Sequence, residues 1–84
     1  MKRHRTARRW AQTISNALQR YMRQNGIENL KAPEAGGLLE QWGLLVDSRQ
    51  RPGKPLRDLL RAGIITGQEQ PGGPNSTWFI RRVE

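Results

Sequence analysis

The chain contains no cysteine and a single histidine, His4, in 84 residues. The first absence excludes a disulfide staple, a thiolate nucleophile and any zinc or iron–sulfur site built on cysteine. The second leaves His4, set among N-terminal charges, as the sole imidazole for a hydrolytic triad, so the expectation is a non-catalytic chain with no metal and no cofactor. Long apolar runs are also missing. None exceeds four or five residues, against the roughly 20 that span a bilayer. Acidic residues are scarce, seven against fifteen Lys and Arg, for a formal net charge of +8. What these shortages leave is a soluble basic module whose partner is a polyanion.

What is present fits one small folded domain. Three Trp, one Tyr and one Phe are spread along the chain, more aromatic area than a disordered tail carries. Five of the fifteen cations (Lys2, Arg3, Arg5, Arg8 and Arg9) fall in residues 1–9, leaving a net +3 for residues 10–84. A block of like charges repels itself and buries nothing, so 1–9 reads as a flexible basic arm and 10–84 as the domain proper. Arg8-Arg9-Trp10 has the look of a twin-arginine export signal, but Gln12, Thr13, Ser15, Asn16 and Gln19 interrupt the apolar stretch such a signal needs. The expected location is therefore cytoplasmic, in association with DNA or the nucleoid.

Periodicity predicts three helices. Trp10, Ile14, Leu18, Tyr21 and Met22 form a stripe on a helix from about 6 to 24, with Thr6 as a cap and Asn25-Gly26 as the stop. Ser15 and Gln19 fall outside that stripe. Ile27–Lys31 reads as a short link, a minimal strand or an extended segment, and Pro33 opens a second helix over about 33–43 with Leu38, Leu39, Trp42 and Leu45 giving the core face. Gly36-Gly37 within it costs roughly 1 kcal/mol per glycine relative to alanine, which a tight helix–helix approach would explain. A turn is expected at Asp47-Ser48, then a basic turn over 49–54. The third helix, about 55–62, has Leu56, Leu59 and Leu60 on one side and Lys54, Arg57 and Arg61 on the other, with Asp58 beside them. All three tryptophans fall in apolar patterns and are expected in the core.

The period then changes. Residues 64–70 and 77–83 read as two strands joined by the loose turn Pro71-Gly72-Gly73-Pro74-Asn75-Ser76, which makes a hairpin. Trp78 and Ile80 share one face of the second strand, with Phe79, Arg81 and Val83 on the other.

That order of elements, together with Gly53-Lys-Pro-Leu-Arg-Asp-Leu-Leu-Arg-Ala-Gly-Ile-Ile-Thr-Gly67 followed by Ser76-Thr-Trp-Phe-Ile80, resembles the winged-helix domains, a variant of helix-turn-helix. The resemblance implies an α+β fold, a three-helix core with a C-terminal two-stranded β-hairpin wing. It also implies double-stranded DNA as partner, with the third helix in the major groove and the wing beside it. By position, Lys54, Arg57 and Arg61 would face DNA and Arg49 and Arg51 would meet phosphates. Arg81 and Arg82 would serve the wing, whose tip has no Lys or Arg of its own. Lys2, Arg3, Arg5, Arg8 and Arg9 would follow the backbone, as basic arms do.

Elementary chemistry supports the same residues independently. An arginine fork holds guanine O6/N7 or a phosphate in bidentate fashion. If about 6 phosphates are neutralised, log K falls with log salt at a slope near −5. Asp58 can pair with Lys54 or Arg61 and reduce their availability. Two other functions remain open at this point. One is a protein-interaction winged helix that recruits or assembles an acidic partner; the other is RNA or single-strand binding, which would require exposed rather than buried Trp or Tyr. The expected state is a monomer or weak homodimer.

Overall fold

A computed structural model describes residues 2–46, 49–51 and 53–83, without the side chains of residues 2–8; Asp47-Ser48 and Pro52 of the expected turns lie outside the described residues. The elements in chain order are α1 (Lys2–Asn25), β1 (Asn29–Lys31), α2 (Ala32–Gln41), α3 (Lys54–Arg61), β2 (Gln68–Glu69) and β3 (Phe79–Arg81). The fold is mixed: three helices and a small antiparallel sheet with strand order β1-β3-β2.

The core forms where three amphipathic faces meet. α1 contributes Ala11, Ile14, Leu18 and Met22, α2 contributes Ala35 and Leu39, and α3 contributes Leu56, Leu59 and Leu60. Leu30 of β1 and Ile80 of β3 face each other across the sheet and close the core from below. Each of the three strands is too short to stand alone, so the sheet depends on this packing.

Several expectations need correcting. Of the two readings of the link, the minimal strand is the one observed: Leu30 pairs with Ile80 and turns the expected hairpin into a three-stranded sheet. The first hairpin strand shrinks to Gln68–Glu69: Gly67 takes a left-handed φ of +82° and breaks the extension that began at Ile64. The backbone of the basic segment 2–9 is helical from Lys2 and forms the first turns of α1. The hairpin tip is not loose either, since Gln70 Nε2 donates to the carbonyls of Pro74 (3.1 Å) and Ser76 (3.0 Å).

Ser15 and Gln19, expected on the solvent side of α1, are buried. Their burial is tolerated because both are fully bonded to distant backbone. Thr66 N donates to Ser15 Oγ at 3.0 Å. Gln19 Nε2 donates to the carbonyls of Arg81 (2.9 Å) and Thr66 (3.3 Å), and its Oε1 accepts from Val83 N at 3.0 Å. One side chain thus stitches α1 to both ends of the hairpin.

The tryptophans divide. Trp78 is half-buried against the core, but Trp10 and Trp42 are 42% and 37% exposed. They lie at the rim of the α1–α2 seam, where Trp10 Nε1 donates to the Leu44 carbonyl at 2.7 Å and Trp42 tilts against Tyr21 with ring centroids 5.4 Å apart. An indole at the edge of an apolar stripe buries one face and keeps its N–H satisfied. Val46 is exposed as well.

Candidate nucleic-acid interface

α3 begins after Gly53, whose φ of +83° reverses the chain out of the basic turn, and Pro55 pre-sets the first helical turn. The leucine spacing then dictates the rest. With Leu56, Leu59 and Leu60 buried, Lys54, Arg57, Asp58 and Arg61 are left to the outward side. Arg61, in the last turn, also suits the negative end of the helix dipole.

The outward cations are not equivalent. Lys54 Nζ lies 2.7 Å from Asp58 Oδ2, one helical turn away. That hydrogen bond holds the Asp58 carboxyl below the ordinary carboxylate value, outweighing the desolvation that pushes it up, and the charges of Lys54, Arg61 and Arg57 add to the lowering. Arg57 and Arg61 form no salt bridge among the described residues. The Arg57 guanidinium folds back toward Gly53, where a β-carbon would sit 3.7 Å from Nη1.

Arg57 and Arg61 open onto a groove of about 850 Å³. α3 forms one wall of it, and the β2–β3 loop, with Asn75, Ser76 and Trp78, forms the other. The floor is the start of α2, including Gly36 and Gly37. The glycines are not there for a tight helix approach, as the sequence suggested. A β-carbon on Gly36 would meet Leu56 Cδ2 at 3.9 Å, an ordinary contact, and one on Gly37 would meet nothing within 4 Å. Their effect is to keep the groove floor at backbone level.

The remaining expected contacts are scattered. Arg81 pairs with Glu69 (3.6 Å) and Arg82 with Glu28 (4.0 Å), both along the sheet rather than on the groove. Arg49 and Arg51 are exposed in the turn ahead of α3. Arg9 is exposed on α1, while the side chains of Lys2, Arg3, Arg5, Arg8 and His4 lie outside the described residues. Asn75, which with Arg81 and Arg82 was a candidate contact for the wing, lines the groove, as do Gln70 and Ser76, which the sequence did not single out. Polar side chains in a glycine- and proline-rich turn were the signal available. Among the described residues no group of His, Asp or Glu could hold a metal ion, and no helix is long and apolar enough to cross a membrane.

Compared with protein families, with curated proteins and with solved structures, the chain has no match.

Proposed function

We propose that this chain is a non-catalytic, winged-helix-type module that binds double-stranded DNA, with α3 entering the major groove. The reading rests on its resemblance to winged helices, and the helix–strand–helix–helix–hairpin order with β1 beside β3 is compatible with that architecture. The observation that carries it is the state of Arg57 and Arg61: exposed, outside any salt bridge among the described residues, and lining a groove of about 850 Å³. Guanidinium groups outside any salt bridge suit phosphate oxygens, which accept from both arms of the fork. Arg49 and Arg51 extend the same basic track ahead of the helix. The α1 cations add sequence-independent affinity.

The test is a titration of labelled duplex DNA at several salt concentrations. Wild type is compared with Arg57→Ala/Arg61→Ala and with a deletion of residues 1–9. Binding should weaken with salt at a log–log slope near −5 if about 6 phosphates are neutralised. Undiminished affinity in the double variant would remove the assigned face.

A second reading has one observation in its favour. Trp10, Trp42 and Val46 are large apolar side chains left exposed, and exposed apolar surface is what a protein partner covers. Binding of an acidic protein, without duplex binding at ~150 mM salt, would favour recruitment over DNA recognition. A single-stranded oligonucleotide in the same series tests stacking on the two exposed indoles.

A further inference from the structure

We propose that the Lys54–Asp58 pair reads one G·C base pair in the major groove, with Lys54 Nζ donating to guanine and an Asp58 oxygen accepting from the cytosine amino group. This deepens the DNA-binding reading and rests on it. The two side chains stand one turn apart on the outward side of α3, 42% and 49% exposed, with Nζ and Oδ2 2.7 Å from each other. They therefore present a donor head and an acceptor head side by side.

The groove edge of a G·C pair presents the complementary pattern. Guanine offers N7 and O6 as acceptors, and the cytosine N4 amino group offers a donor. O6 and N4 are themselves hydrogen-bonded at about 2.9 Å, the usual N–H···O distance. A protein pair spaced at 2.7 Å can meet them without breaking its own bond. The ammonium has three protons, one for Asp58 and two for O6 and N7; the ionised carboxylate has spare lone pairs for the free N4 proton. Asp58 is held below the ordinary carboxylate value, so it is an acceptor at neutral pH.

An A·T pair suits the same two heads less well. Its one donor, adenine N6, lies between the acceptors N7 and O4. A carboxylate placed there is repelled from both sides, and a single ammonium can cover only one of them. On G·C the acceptor next to the carboxylate is O6, which Lys54 covers. The thymine methyl also crowds a charged head near O4. Arg57, which turns back toward the groove, is left for phosphate.

The experiment is selection from a randomised duplex pool, followed by affinity measurement on single-site duplexes. It uses the full chain in wild-type, Asp58→Ala, Asp58→Asn and Lys54→Met forms. Wild type should enrich G·C at one fixed position, by about tenfold over A·T. Asp58→Ala should flatten that position while other selected positions persist. Asp58→Asn should move it toward A·T, because an amide is complementary to adenine N6 and N7. Lys54→Met should lose the G·C preference as Asp58→Ala does. The pair is exposed, and thermal midpoints close to wild type would show that the fold is retained. Duplex binding without a G·C preference, or a preference that survives Asp58→Ala, would overturn this inference and leave DNA binding standing. Failure of wild type to bind duplex would overturn both.

Discussion

Arginine plays two roles in this molecule. On the sheet, Arg81 and Arg82 face Glu69 and Glu28, and their charge is spent within the fold. On α3, Arg57 and Arg61 line a groove and form no salt bridge among the described residues, although both charges reach the Asp58 carboxylate. Such surface pairs on the sheet stabilise by about 1 kcal/mol at most, but they lower the positive potential around them. A net charge of +8 therefore overstates what the sheet would offer a polyanion; most of the rest lies on α1, which has seven Lys and Arg and no carboxylate, and on the outward side of α3.

The comparison can be broken from either side. The largest effect is expected where the sheet meets α1. Gly67→Ala would place a methyl group on the Arg81 carbonyl oxygen, with the Gln19 amide 3.0 Å away and φ at +82°. The nearest atom is backbone carbonyl rather than the end of a side chain that could swing aside, so stability should fall by at least about 2 kcal/mol in chemical denaturation. Loss of duplex binding should follow from loss of the fold.

Next in size is the contrast between the arginine pairs. Arg57→Ala/Arg61→Ala should weaken duplex binding by about tenfold or more and reduce the salt slope by about 2, with stability within roughly 0.5 kcal/mol of wild type. Arg81→Ala/Arg82→Ala should change binding by only about threefold or less. Equal losses in the two variants would erase the distinction. Gly37→Ala should act in the opposite direction on stability, raising it by up to about 1 kcal/mol, because the site has room and no left-handed φ. Weaker DNA binding in that more stable variant would show that the open groove floor serves the ligand.

The smallest effect concerns pH. Asp58 titrates below its unfolded value, so the stabilisation from its pair is present above that value. It is lost as pH falls through the depressed one. A carboxyl NMR titration should therefore place the Asp58 midpoint below the ordinary range, and Lys54→Met should bring it back up. Because the pair is exposed, folding stability should hardly change over the same pH range.

The helices were legible because their information is local. The leucines of α3 define their own buried face, and Lys54–Asp58 follows from a spacing of four. The sheet was less legible. β1 carries a single buried residue, Leu30, and what makes it a strand is Ile80, fifty residues away. The same distance hid the partners of Ser15 and Gln19, so polar residues that are buried looked like a wet helix face. Arg81 and Arg82 looked free for the same reason, since their carboxylates are brought up only by strand pairing and the β1–β3 end. Trp10 and Trp42 were misplaced by a different cause. Apolar periodicity locates the side of a helix but not how far round it the neighbouring helix reaches. The groove, built from three separate segments, has no signature in any one of them.

Gln19 has a consequence in time as well as in space. Thr66 and Val83 belong to no helix or strand, yet their amides are held by α1: Thr66 N by Ser15, and Val83 N by Gln19 itself. Such protons escape to solvent only when the helix parts from the hairpin. They should exchange with deuterium on the slow clock of global opening rather than the fast one of loops. The hairpin and the first helix would then unfold together, as one unit.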